Sequence, residues 1–493
     1  MALVIAIDAG TTGVRSFAFD EAGQPAGSAY RELPQHFPRP GWVEHDPDDI
    51  WQAVTATLDE LLSGLDHPAV AAIGITDQRE TTVVWDRRTG RPQHRAIVWQ
   101  DRRTAERCDE LRAAGHLDLV RRQTGLVLDP YFSATKLEWL LGPGGVEVGP
   151  DVVFGTVDSW VLWNLTGGVD GGVHATEPSN ASRTMLFDIG TLAWSDELLE
   201  LFGVPRSMLP EVRPTQGRFA TTGPGLPVGA GVPISGMAGD QQAALFGQAC
   251  LEPGMSKNTY GTGSFVLMNV GDTLPPPVDG LLTTVAWTVD GRPGATYALE
   301  GAIFVTGAAI QWLRDGLGII GEAAEMGPLA EACPDPEGVY VVPAFTGLGS
   351  PWWDPYARGT IVGITRGTGR GHLARAVVES MAYQTRDVVE AMSAASGQPI
   401  AELRVDGGAS AMDVLLQFQA DQLGVPVARP ELQETTVAGA AYLAGLAEGV
   451  WAADDLAALW QLDRRFEPDA ERAEADARFA KWGQALARSR AWA

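Results

Sequence analysis

The sequence predicts an α/β protein of two domains built on an internal duplication, with a cleft between the halves. Three observations carry this expectation. The chain is 493 residues long, more than one ordinary hydrophobic core sustains. Two glycine-threonine loops, Asp8-Ala9-Gly10-Thr11-Thr12-Gly13 and Gly261-Thr262-Gly263-Ser264, lie about 250 residues apart, each after a short strand. Around each loop the same plan recurs: strand, loop, strand, turn, strand, and then alternating helices and strands.

The first half opens on Leu3-Val4-Ile5-Ala6-Ile7, followed by the loop, strand 15–19, a turn at 21–24 and extended chain to Leu33. Short connections of this kind suit antiparallel hairpins. Residues 47–63 read as an amphipathic helix with Ile50, Val54, Leu58, Leu61 and Leu62 on one face. A strand over 70–75 follows. In the second half, strands 256–260 and 265–269 flank the loop, and Pro275-Pro276-Pro277 turns the chain into strand 282–289. Residues 303–314 carry a helical pattern. A long helix over 372–396 places Leu373, Val377, Met381, Val388 and Met392 at helical spacing and stops at Gly397. Strand 403–405 then runs into Asp406-Gly407-Gly408. The domain boundary falls near Ala249–Pro253, giving residues 1–249 and 250–493.

With 36 basic against 62 acidic residues the net charge is −26, which repels nucleic acid and anionic membranes. Any anionic nucleotide must be held by local donors and a cation. Three widely spaced cysteines argue for a reducing compartment. No apolar run approaches the roughly 20 residues that span a bilayer, and the N-terminal run reads as a strand rather than a signal peptide. The expectation is a cytoplasmic globular protein without membrane insertion.

Glycine lets backbone N–H groups close around an anion, and threonine adds a hydroxyl donor. Either loop alone reads equally well as a turn. Paired with each other, and with Asp406-Gly407-Gly408-Ala409 after a buried strand, they suggest a phosphate clamp assembled from two domains. First phosphate loop, second phosphate loop and glycine-rich adenosine loop, in that order, resemble the layout of actin- and hexokinase-type ATPases, whose domains are ribonuclease H-like. Gly316–Gly321 fits GxGxxG but follows a helical pattern, whereas a dinucleotide fingerprint needs a preceding strand. Asp240 sits between glycines and an apolar helical run. It reads first as a helix N-cap, and such a carboxylate can at the same time take a proton from a substrate hydroxyl. Adjacent Arg79 and Glu80 offer a donor fork and an acceptor suited to vicinal hydroxyls, against the commoner surface ion pair. Trp99 and Phe265 read first as core, and Lys136 and Trp139 as structural.

Several segments resemble the glycerol-phosphorylating branch of the FGGY carbohydrate kinase family. They include Pro40–Asp46, Gln78–Thr82, Tyr131–Ser133, Asn180–Met185, Gly239–Gln242 and Asn258–Gly263, so the resemblance runs over nearly the whole chain. It implies that Arg79, Glu80, Tyr131, Asp240 and Gln241 bind the hydroxyls of glycerol, with Trp99 and Phe265 against its carbon chain. It further implies that Thr11, Thr12, Gly13 and Arg15 meet the phosphates of ATP, and Thr262 the second phosphate site. Gly307, Gln311 and Gly408 would line the nucleotide cleft, while Asp8 and Asp240 would lie near Mg²⁺. Asp240 would be the general base. The first domain would hold the polyol and the second the nucleotide, in a homodimer or homotetramer.

Three departures from the family pattern stand out. Met412 replaces the usual asparagine after the adenosine glycines, which changes a contact to the nucleotide. Ala230-Gly231 stand where some members carry a basic residue that supports fructose 1,6-bisphosphate inhibition, and no histidine lies between His174 and His372 for phospho-histidine activation. The chain is expected to lack both controls. Two rivals stay open at this level: a kinase for another small polyol or ketose, such as dihydroxyacetone or a pentulose, and a nucleotide-gated sensor without catalysis.

Overall fold

The structure is a computed structural model that describes residues 2–66 and 68–492. In the first half, strands β1 (Ala2–Ala9), β2 (Gly13–Phe19), β3 (Pro25–Glu32), β4 (Ala69–Asp77), β5 (Gln216–Thr221) and β6 (Pro233–Gly239) form one sheet, in the order β5-β6-β4-β1-β2-β3. β1, β2 and β3 are an antiparallel meander, while β4 runs parallel to β1 and β6 parallel to β4. In the second half, β7 (Ser256–Tyr260), β8 (Ser264–Gly271), β9 (Leu282–Trp287), β10 (Thr296–Ile303), β11 (Leu403–Asp406), β12 (Val427–Pro430) and β13 (Leu462–Phe466) are ordered β9-β10-β8-β7-β11-β12-β13. Again the first strand pairs antiparallel with the second, but the second pairs with the fourth, β10, which leaves β9 at the edge. The fifth and sixth, β11 and β12, add parallel on the other side of β7. The duplication thus lies in the shared centre, an antiparallel first hairpin with parallel strands added on its other side, while the outer strands are arranged differently.

Helix α1 (Pro47–Ser63) has the bounds read from sequence, because local signals agree at both ends. Asp46 accepts from the backbone of Asp48, Pro47 occupies the first turn, and Gly64 follows the last. Its Ile50, Val54, Leu58 and Leu61 are buried against the sheet, and Leu62 is half-buried. The stretch 303–314 departs from the expectation. β10 runs through Ile303, and the helix begins only at Gly307 and widens into a π turn over Trp312–Gly316. The break is functional geometry, because Thr306 N–H donates to Thr262 O at 3.0 Å and so ties the turn to the second glycine loop. Gly316–Gly321 therefore follows a helix, as the spacing argued.

Helices α2 (Asp240–Gly247), α3 (Arg370–Ser396) and α4 (Thr435–Ala447) set the relation of the halves. α4 is part of the second half of the chain, yet it lies on the first sheet and on α2, burying Ala438, Ala440, Ala441 and Ala444 against Val4, Ala6, Ala72 and Ala243. Glycine makes the contact possible. A Cβ at Gly439 would stand 1.8 Å from Ala243 O, and one at Gly247 would stand 2.0 Å from Thr435 O. The two helices therefore touch backbone to backbone.

Candidate active site

β4 ends at Asp77, and the chain turns at once through Gln78, Arg79 and Glu80. Glu80 has φ of +64°, a left-handed conformation that costs a residue with a Cβ about 1 kcal/mol or more and concentrates at functional sites. The turn sends both charged side chains inward, where each is 1% exposed. Arg79 donates through Nη1 to Glu300 (2.5 Å) and Gln242 (3.2 Å), and through Nη2 to Glu300 and Tyr131 (both 3.2 Å). Its Nε stands 3.1 Å from Asp240 Oδ1. Glu80 accepts from Arg183 Nε at 2.7 Å, and Arg183 Nη2 donates to Glu300 at 2.8 Å. Burial alone would raise the Glu300 carboxyl, but Arg183 and Arg79 hold it down at about 2. Burial outweighs the two arginines at Glu80 and raises its carboxyl.

An aromatic wall faces this network. The Trp99 ring meets Tyr131 edge-on at 5.5 Å and Phe265 at 6.4 Å, and the Arg79 guanidinium lies 5.7 Å from the Phe265 ring. Phe265 comes from β8 in the second sheet, whereas Trp99 and Tyr131 belong to the first half. Tyr131 is held in place by Lys136, whose buried ammonium donates to the carbonyls of Tyr131 (2.6 Å) and Phe132 (3.1 Å). The structural reading of Lys136 fits that contact.

Asp240 is not the cap of its helix. Gly239 is the cap, and Asp240 is the first residue of α2. Set inside the first turn, its carboxylate accepts from Gln241 N (2.7 Å) and Gln241 Nε2 (3.0 Å) and keeps 32% exposure toward the cleft. That contrast decides which group can meet a substrate freely: Arg79 is sealed, while Asp240 is open. Asp8, half-buried at the end of β1, is pushed up to about 7 by burial and then by the Asp240 carboxylate. Two oxygen donors that repel each other in this way suit a hard divalent cation, which relieves both. Among the described residues no group of three His, Cys, Asp or Glu side chains could hold a metal. Mg²⁺ commonly binds through one or two carboxylates together with substrate phosphates.

The first glycine loop joins this pocket directly. Trp99 Nε1 donates to Thr11 Oγ1 at 2.9 Å, and Gln78 Nε2 to Gly10 O at 3.2 Å. Thr12 is exposed, and a Cβ at Gly13 would strike Tyr30 at 2.4 Å. Arg15 is turned aside into an ion pair with Glu434, so it is not free for a phosphate in this arrangement. The second loop is clasped by the helix start, with Gly307 N donating to Gly261 O and Ala308 N to Thr262 O, each at 3.0 Å. This leaves Thr262 and Gln311 exposed on one side. Gly407 must be glycine, at φ +84° with Tyr260 O 2.5 Å from where its Cβ would be, and it brings Gly408 beside the loop. Met412 is half-buried against Gly327.

The structure thus gathers Arg79, Glu80, Trp99, Tyr131, Asp240, Gln241 and Phe265 into one constellation. Sequence reasoning missed Arg183 and Glu300, which hold it together. Arg183 lies inside the quoted segment Asn180–Met185 and was given no role. Glu300 belongs to no motif, and its only signal is a lone acid in an apolar strand.

The family model for the N-terminal domain of the FGGY family of carbohydrate kinases matches residues 3–247, and that for the C-terminal domain residues 256–448. Glycerol kinase 2 of Thermotoga maritima is 55% identical over 500 residues, spanning 100% of this chain and 99% of that protein. Glycerol kinase of Carboxydothermus hydrogenoformans is 54% identical, over 99% and 98% of the two chains. Among solved structures, Plasmodium falciparum glycerol kinase with ADP superposes with a TM-score of 0.92 at 34% identity, covering 99% of this chain and 98% of that one. Xylulose kinase of Lactobacillus acidophilus shares the fold, with a TM-score of 0.87 at 22% identity and 99% of each chain covered.

Proposed function

Since the chain belongs to the FGGY family of carbohydrate kinases, we propose that it transfers the γ-phosphoryl group of ATP to a terminal hydroxyl of glycerol, giving sn-glycerol 3-phosphate and ADP. The full-length likeness to curated glycerol kinases supports the substrate. The observation that carries the chemistry is the open Asp240 carboxylate set 3.1 Å from Arg79 within a pocket walled by Trp99, Tyr131 and Phe265.

In this reading a three-carbon polyol lies along the aromatic wall. Its hydroxyls bind at Arg79, Glu80, Tyr131 and Gln241. The terminal hydroxyl enters between Arg79 Nε and Asp240, and Asp240 takes its proton as the oxygen attacks the γ-phosphorus. The bond from γ-phosphorus to the bridging oxygen breaks, and ADP leaves. Thr11, Thr12, Gly13 and Thr262 donate to the phosphate oxygens, with Arg15 joining them once released from Glu434. Gly307, Gln311, Gly408 and Met412 flank the nucleoside. Positioning and fixed dipoles supply most of the rate in such transfers. Asp8 and Asp240 would hold Mg²⁺ through its waters, and the bound ion would supply charge neutralisation on the β- and γ-phosphates.

Residues 1–249 then serve the acceptor and the first loop, and residues 250–493 the nucleotide. Among the described residues no helix is long and apolar enough to cross a membrane, and we place the enzyme in the cytoplasm as a homodimer or homotetramer. A coupled ADP-release assay over glycerol, dihydroxyacetone, glyceraldehyde and xylulose tests the reading. Glycerol should give the highest kcat/KM, and Asp240→Asn should lower kcat by on the order of 100-fold or more. Best turnover on the pentulose would overturn the substrate, and an unimpaired Asp240→Asn would overturn the base.

A further inference from the structure

Lys257 is a buried lysine that no step above uses. It lies on β7, four residues before the second glycine loop opens, and is fully buried. Its Nζ donates to Gln241 Oε1 at 2.5 Å and to Thr259 Oγ1 at 2.8 Å. Gln241 belongs to α2, in the first half of the chain, so this bond crosses from one half to the other. The charged groups facing the ammonium are Asp406 on β11, Asp240 on α2, Arg79 after β4 and Glu300 on β10.

An ammonium has three donors and no acceptor, whereas a carboxamide has one acceptor end and one donor end. Lys257 can therefore engage only Oε1 of Gln241, which leaves Nε2 to point at Asp240 Oδ2, 3.0 Å away. Rotating the amide would set NH2 against the ammonium and oxygen against the carboxylate. Both new contacts repel.

We propose that Lys257 is a positioning residue: through the Gln241 amide it fixes the rotamer of Asp240, so the proton acceptor is aimed before substrate arrives. The proposal rests on the phosphoryl-transfer reading with Asp240 as base. Because the lysine comes from the half that carries the second loop, it also ties the aim of the base to that loop's position. A carboxylate free to swing by about 1 Å loses on the order of 100-fold in rate.

The test is a double-mutant cycle on the full chain, assayed by ADP release with glycerol. Lys257→Met and Gln241→Met should each lower kcat by on the order of 10- to 100-fold, with KM for ATP within about twofold of wild type. The double variant should be no slower than the slower single one, because both remove the same constraint. A purely structural lysine would instead give losses that multiply. Gln241→Glu is the variant that keeps the lysine paired: it accepts from Lys257 but cannot donate to Asp240, and should lose as much kcat as Gln241→Met without loss of Tm. Wild-type kcat in Gln241→Glu, or multiplying losses in the double variant, overturns the proposal alone. A wild type that releases no ADP with glycerol overturns the functional reading and this proposal with it.

Discussion

Replacing Glu300 by glutamine should loosen the pocket and the union of the two halves at once. Among the described residues the carboxylate is the only anion shared by Arg79 and Arg183 through hydrogen bonds, and all three side chains are 0–1% exposed. Its carboxyl is held at about 2 against an ordinary 4.5. At about 1.4 kcal/mol per pH unit that drop is worth roughly 3 kcal/mol, in line with the roughly 3–5 kcal/mol lost when one member of a buried ion pair is removed. Glu300→Gln at pH 7 should therefore lower Tm by roughly 6 °C. KM for glycerol should rise about tenfold as the Arg79 fork loses its anchor. The sign with pH follows from a depressed acid. The contribution is intact above about 4.5 and disappears as pH falls toward 2, so the melting curves of the two proteins should converge on acidification. A variant that melts within about 1 °C of wild type at pH 7 with unchanged KM would refute this account of the network.

Two further predictions concern packing and a buried base. Gly439→Ala puts a methyl 1.8 Å from Ala243 O and should cost about 1–3 kcal/mol by urea unfolding; a neutral result would show that α2 and α4 can part. Lys136 is lowered to about 7, chiefly by burial, so the unfolded chain binds the extra proton between about pH 7 and the ordinary 10.5. Wild-type stability should then rise by about 2 kcal/mol from pH 7 to 9 relative to Lys136→Met, and parallel urea profiles for the two proteins would refute it.

Much of this architecture is legible locally. α1 could be placed to the residue because its cap, its first-turn proline and its terminal glycine all act within a few positions. The hairpins at both loops were visible because they link neighbours in sequence, whereas the pairing of β8 with β10 skips one strand. Long-range partners were not visible in this way. Glu300 meets Arg79 across 221 residues and Arg183 across 117, and nothing local to an apolar strand says which charge will neutralise its one acid. Asp240 was misread as a cap for a related reason. Asp before an apolar run fits either of two neighbouring positions, and the backbone of Gly239 decides between them. The helical pattern over 303–314 was interrupted at Thr306 by its bond to a loop more than forty residues away.

The glycine-lined crossing of α2 and α4 works as a fulcrum. Two backbones that meet without side chains between them cannot come closer but can swivel, so a swing about Ala243 and Gly439 is the relative motion this packing obstructs least. Asp240 stands one helical turn from that point, roughly 5 Å along the axis. A rotation about the crossing would therefore displace the proton acceptor little, which keeps its aim close to fixed.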